Sequence, residues 1–157
     1  MALPYLNLRE MEEAAAAVLS PAALAYYVGG ANDEVTVRAN RDGYAALKLR
    51  PRMLVDVSQV DVSTTVLGTP LAFPVGIAPC ALHGLVHPDA EVATARAAAG
   101  MGSLMTLSTM SHRSLEDVAH AAPGQWWFQL YVFKDRAVAA GLVAAARDGG
   151  FEALVLT

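Results

Sequence analysis

Four short apolar runs, each closing on a small polar or aromatic residue, set the rhythm of the second half of the chain: Val75 to Pro79, Leu104 to Ser108, Phe128 to Tyr131 and Leu154 to Thr157. Continuous apolar runs of this length suit strands buried on both faces of a parallel sheet. Their closing residues lie 29, 23 and 26 positions apart, about one strand–helix module. Helix signals fill the gaps. Pro88 marks a start, with Asp89 and Glu91 in a first turn where the helix dipole favours carboxylates, and Gly100 and Gly102 mark the end. Ser114 and Asp117 have capping-box spacing, Asp135 can cap a third crossover helix, and Gly149-Gly150 closes it. The pattern predicts an α/β chain of the (β/α)8 TIM-barrel class carrying about the first four strands, a half-barrel. Barrels of this class place their chemistry at the carboxyl ends of the strands, which makes Pro79, Cys80, Ser108, Gln129, Tyr131 and Thr157 the candidate ligand contacts.

The first half reads differently. Asn7 with Glu10 three residues later has the capping-box arrangement of a helix start. Pro21 suits the first turn of a second helix running to Tyr26 and Tyr27, which Gly29 and Gly30 are expected to end through a left-handed backbone. Asn32 or Asp33 can cap a third helix reaching Ala46. From Leu47 to Pro74 the pattern becomes extended, with apolar and polar residues alternating in Val55-Asp-Val-Ser and Val60-Asp-Val-Ser. Thr64 to Leu67, Gly68-Thr-Pro and Leu71 to Phe73 read as a hairpin that could plug the bottom of a barrel. No linker divides these segments. The chain is read as one incomplete domain over residues 1–157, with residues 1–73 forming the helices and hairpin segment and residues 74–157 the barrel strands.

Composition narrows the function. Of 157 residues 55% are hydrophobic and 17% charged, as a sheet covered by helices requires. A net charge of -4 without a Lys/Arg cluster argues against nucleic-acid binding. A single cysteine, Cys80, excludes an intrachain disulfide and fits a reducing compartment. Arg9, Glu10, Glu12 and Glu13 precede the first alanine run, the wrong order for a signal peptide, and no apolar stretch reaches the roughly 18 residues of a membrane span. These features predict a cytoplasmic protein without a transmembrane segment. His83 and His87 have i, i+4 spacing, but Gly84 and Pro88 argue against a helix there and no third ligand is evident, so no metal site is expected.

An ordered set of motifs runs across the chain: Tyr26-Tyr-Val-Gly-Gly-Ala-Asn-Asp-Glu with Thr36 and Asn40, Arg50-Pro-Arg-Met-Leu, Ile77-Ala-Pro-Cys-Ala, His87-Pro, Met105-Thr-Leu-Ser, and Phe128-Gln-Leu-Tyr-Val-Phe-Lys-Asp. In this order they strongly resemble the FMN-dependent 2-hydroxy-acid oxidases and dehydrogenases, of the glycolate oxidase and lactate oxidase type. The resemblance implies FMN as cofactor, with Pro79, Cys80 and Ala81 in the loop beneath the flavin and Ser108, Gln129 and Thr157 along its polar edge. It implies that Tyr26 and Tyr131 meet the substrate, a small 2-hydroxy acid, and that Met110 forms part of the pocket wall. Two hydroxyls and an amide that both donates and accepts suit the mixed edge of a flavin pyrimidine ring, and an unbranched apolar Met tolerates an aliphatic substrate tail.

Each assignment has a plainer competitor. Ser and Thr at strand ends commonly serve turns, and Tyr27, Trp126 and Trp127 suit packing. Cys80 departs from the threonine or small residue of glycolate oxidase relatives and, with nothing basic beside it, reads as a small hydrophobe and not a reactive thiol. The family's histidine base, carboxylate-clamping arginines, flavin-facing lysine and phosphate site come from later strands, and no His or Arg here matches them by its flanking residues. The sequence therefore implies the N-terminal half of an enzyme that oxidises a glycolate- or lactate-like acid to the 2-oxo acid, inactive alone. Its electron acceptor would be oxygen, a quinone or a carrier, and the full-length protein would be a homo-oligomer. Two alternatives stay open: a non-catalytic truncated half-barrel that needs a partner chain, and another FMN barrel such as the type 2 isopentenyl diphosphate isomerase.

Overall fold

The computed structural model describes residues 4–157, which fall into two compact units that divide between Ser58 and Gln59. The first unit holds three helices: α1 (Leu8–Ala16), α2 (Pro21–Val28) and α3 (Val35–Ala46). Asn7 caps α1 by accepting from the Glu10 N–H, and Glu10 reaches back to the Leu6 N–H at 2.8 Å, one residue earlier than the predicted capping box would place it. Ser20 caps α2 ahead of Pro21. Gly29 ends α2 in an extended conformation (φ -71°, ψ 150°) and not the left-handed one expected, with its N–H closing the last turn on the Ala25 carbonyl. The start of α3 also differs from expectation: neither Asn32 nor Asp33 caps it. Glu34 takes that position at φ 55°, and its carboxylate turns back to the Gly30 N–H.

The alternating Val-Asp-Val-Ser repeats are not strands. Asp56 and Asp61 each accept from the backbone N–H two residues on, at Ser58 and Ser63, making two consecutive Asx-turns. The same backbone and hydroxyl hydrogen bonds from these serines lower both carboxyl pKa values.

The second unit is built on a parallel sheet. Strands β1 (Thr64–Val66) and β2 (Thr69–Leu71) form the expected hairpin, with Leu67 and Gly68 both at positive φ as a two-residue type I′ turn demands. Strands β3 (Leu104–Leu107), β4 (Gln125–Leu130) and β5 (Ala153–Leu156) then pair in chain order, all parallel. The first predicted barrel strand contracts to a single bridge, Ile77 to Met105. Ile77 donates to the Leu104 carbonyl at 2.7 Å and accepts from the Thr106 N–H at 2.9 Å. The crossover helices are α4 (Glu91–Met101), α5 (Leu115–Ala121) and α6 (Arg136–Asp148), with a 3-10 turn at His83–Leu85 before α4.

Alternation divides the two faces of this sheet. Met105, Leu107, Trp126, Phe128 and Leu130 point to the helices and close a core with Ala95, Ala98, Val118, Ala139, Ala146 and Phe151. The alanines let the helices approach, and Phe128 meets Phe151 edge to face at 6.3 Å. Leu104, Thr106 and Gln129 take the opposite face and are also buried. The hairpin belongs to this unit and lies at the amino ends of the strands. Thr69 donates to Glu152 at 2.6 Å just ahead of β5 and accepts from the Trp127 indole, and the Ala72 N–H reaches Gly102 just ahead of β3. The hairpin read from the sequence is therefore present, at the amino end of the sheet.

Candidate functional site at the carboxyl edge

With the hairpin at one end of the sheet, the other end is left to two loops and the strand termini. Ser108 follows β3 directly and is buried, and its Oγ accepts from the Met110 N–H at 3.1 Å, which leaves the hydroxyl proton available. Gln129 lies one step along the register, on the face opposite the helices. It is 8% exposed, and its Oε1 is a buried acceptor with no hydrogen-bond partner. A buried amide oxygen left unpaired costs about 1–3 kcal/mol, so this acceptor close to the end of β4 is open to a donor. Tyr131 emerges from the end of β4 at 39% exposure, and Thr157 follows β5, held by its N–H on the Leu130 carbonyl at 3.4 Å.

Pro79, Cys80 and Ala81 form the neighbouring loop, beyond the Ile77 bridge. The Leu82 N–H donates to the Met110 carbonyl at 3.2 Å and the Gly84 N–H to His112 Nδ1 at 3.1 Å, so this loop is tied to the one after β3. Gly84 is required there, because a Cβ would come within 2.9 Å of the His112 ring. Cys80 is solvent-facing, and desolvation by the surrounding chain, with a smaller push from the Glu91 carboxylate, raises its thiol pKa. A thiol held protonated is a poor nucleophile, as the sequence implied.

Glu91 organises both loops, a role the sequence did not disclose. It is fully buried. Its Oε1 accepts from the His83 and His112 N–H groups and its Oε2 from the Arg113 N–H, each at 3.1 Å. Burial pushes its pKa up, but these bonds and one from its own N–H outweigh that, and the pKa is lowered. The dipole-facing first-turn reading of Glu91 is therefore incomplete, and the helix begins at Glu91, later than the predicted start at Pro88, which leaves Asp89 outside its first turn. Thr109 was also missed: its Oγ1 donates to the Gln129 carbonyl and accepts from the Tyr131 N–H. The hydroxyl pair Ser108-Thr109 at a strand end was the only sequence signal for it.

The structure thus gathers Pro79, Cys80, Ala81, Ser108, Met110, Gln129, Tyr131 and Thr157 at one edge of one unit. Tyr26 belongs to the other unit, on α2, half-exposed and edge to face with Tyr27 at 5.1 Å. A cleft of about 370 Å³ between α4 and α5 is lined by residues that include Asp89, Arg96, Arg113 and His120; Arg96 faces Asp89 at 3.9 Å and Arg113 donates to the Pro88 carbonyl. Among the described residues no group of three His, Cys, Asp or Glu side chains is placed to hold a metal, and no helix is long and apolar enough to cross a membrane.

The chain matches the family described as FMN-dependent dehydrogenase over residues 15–157. It is 49% identical over 156 residues to an L-lactate oxidase of Nostoc sp., covering 97% of this chain and 43% of that protein. Glycolate oxidase 1 of Zea mays is 46% identical over 151 residues, covering 96% of this chain and 41% of that one. The recombinant flavin-binding domain of baker's yeast flavocytochrome b2 superposes with a TM-score of 0.92 at 36% identity, covering 97% of this chain and 40% of that domain's chain. The chain spans about two-fifths of the length of the curated relatives it matches.

Proposed function

The chain belongs to the FMN-dependent dehydrogenase family, and from that premise we propose that its carboxyl edge holds the polar rim of FMN in an enzyme that oxidises a small 2-hydroxy acid to the 2-oxo acid. The observation that carries the reading is the unpaired, buried Oε1 of Gln129. An acceptor at this place fits a ring N–H donor, the Ser108 hydroxyl proton beside it fits a ring carbonyl, and Thr157 offers a second hydroxyl at the next strand end. Pro79, Cys80 and Ala81 present a small, uncharged loop that a flat ring could lie against. When bound, FMN would supply a hydride acceptor.

The remaining roles belong to the chain's own side chains. The Tyr131 phenol, exposed at the edge, would donate a hydrogen bond to the substrate carboxylate or the reacting oxygen, and Met110, about half-exposed, would wall the substrate tail. Tyr26 keeps a substrate role on the strength of the motif around it. Two of the histidines near the edge have ring nitrogens already engaged, His112 Nδ1 with the Gly84 N–H and His83 Nδ1 with Thr94 Oγ1. Neither is free to serve as the base through that atom. On this reading the 157 residues form one domain with the rest of the catalytic machinery, and the chain is inactive without it. The acceptor for the electrons would be oxygen or a quinone, and the assembled enzyme a cytoplasmic homo-oligomer.

Titration of FMN with the purified chain, followed by flavin fluorescence, tests the flavin site. Saturable quenching that Gln129→Leu weakens about tenfold or more, with unchanged circular dichroism, is the expected result. Equal quenching by both proteins would remove Gln129 from the site, and no quenching by either, with FMN raised far enough to allow for a phosphate site on later strands, would remove the site.

A further inference from the structure

We propose that Thr109 is a positioning residue whose hydroxyl stands in for a strand backbone and fixes Gln129 and Tyr131 for flavin and substrate, an inference that rests on the flavin reading above. The β3–β4 ladder pairs Leu107 with Phe128 and then stops. Continuing that register would set Thr109 opposite Leu130. In a parallel ladder, a residue opposite position j donates its N–H to the carbonyl of j−1 and accepts from the N–H of j+1. Ile77 does this across Met105, using the Leu104 carbonyl and the Thr106 N–H. Thr109 makes the same pair of bonds across Leu130, but with one atom: its Oγ1 donates to the Gln129 carbonyl and accepts from the Tyr131 N–H, the latter at 3.0 Å.

The substitution of side chain for backbone has a consequence for the site. Because the hydroxyl completes the ladder, the backbone after β3 is released from it and can fold into the turn in which the Ser111 N–H reaches the Ser108 carbonyl and Ser108 Oγ takes the Met110 N–H. Ser108 is thereby held where its hydroxyl proton remains available, while the β4 backbone stays pinned on both sides of Leu130. One side chain therefore sets three of the proposed contacts. Val has the same branched shape without the hydroxyl, and Ser keeps the hydroxyl without the methyl, so the two substitutions separate packing from hydrogen bonding.

The test compares the unaltered chain with Thr109→Val and Thr109→Ser by residue-resolved amide hydrogen exchange, alongside FMN titration. The bridge predicts that Val speeds exchange at the Tyr131 amide by about tenfold or more while amides in β3 and α5 are unchanged, and that Ser restores protection. It further predicts that Val weakens FMN binding several-fold and Ser does not, a pattern that a packing role alone would reverse. Unchanged Tyr131 exchange in the Val variant, or loss of protection in both variants, would overturn the bridge. If the unaltered chain does not bind FMN even at concentrations that allow for a phosphate site on later strands, the flavin reading falls and the exchange comparison decides the bridge by itself.

Discussion

Replacing Glu91 with Gln should remove about 3 kcal/mol from the stability of the second unit near neutral pH. The side chain is fully buried and its two oxygens serve three backbone N–H groups from two loops. An amide can keep its oxygen at the Oε1 position, facing His83 and His112, but its NH2 then confronts the Arg113 N–H donor to donor. One buried N–H left unpaired costs about 1–3 kcal/mol, and the two surviving bonds fall from charge-assisted to neutral strength, about 1 kcal/mol each. The pH dependence has a definite sign. A carboxyl pKa lowered by folding gives stability that is complete above its ordinary value of 4.5 and lost as pH falls through the folded value. The gap between the two proteins should therefore be widest near pH 7 and close in acid. Both tryptophans of the chain lie in β4, so their fluorescence during urea unfolding reports this unit. With a slope of about 1–2 kcal/mol/M, the midpoint should drop by roughly 1.5–3 M at pH 7. A drop below about 0.3 M, or an equal drop at pH 7 and pH 3, would refute the role assigned to Glu91.

Three further outcomes follow from the packing. Gly102→Ala should cost about 2 kcal/mol or more in urea melts, since φ is +64° and the new Cβ would lie 2.9 Å from that of Ala72; a neutral effect would mean that the hairpin does not press on this turn. Thr69→Val strips both the Glu152 and the Trp127 bonds from the plug and should lower stability by about 1–3 kcal/mol while leaving FMN titration unaltered, because it acts at the opposite end of the sheet; loss of FMN binding without loss of stability would contradict the division of the two ends. Ser114→Ala removes the capping box of α5 and should cost about 1 kcal/mol by thermal melting, and an unshifted transition would show that α5 is held by packing alone.

Much of the second unit was legible because its signals are local. The apolar runs of β3, β4 and β5 are each preceded by Gly or Pro-Gly, and the caps at Ser114 and Asp135 act within three residues of themselves. What escaped the sequence depends on distance along the chain. The first barrel strand is reduced to the Ile77 bridge, a pairing set by the approach of Ile77 to Met105 that no run of apolar residues discloses. The donors to Glu91 lie 8, 21 and 22 residues away. The place of Ser108, Gln129, Tyr131 and Thr157 at the carboxyl edge was legible because strand ends follow from strands, whereas Thr109 acts on residues 20 and 22 positions ahead through a register visible only once the sheet is formed. The Val-Asp-Val-Ser repeats misled in the other direction: alternation suggested strands, but an Asp two residues before a Ser satisfies that backbone N–H locally and leaves less for a ladder.

The central claim, that the carboxyl edge of this sheet is a flavin site, is tested most directly by adding FMN to the isotopically labelled chain and mapping which resonances move. The account predicts that the Gln129 side-chain amide shifts, together with the backbone amides of Ala81, Ser108, Tyr131 and Thr157, and that residues of the Thr69 plug and the α4–α5 cleft do not. Shifts confined to the cleft around Arg96 and Arg113, or no shifts at FMN concentrations that saturate any fluorescence change, would contradict it.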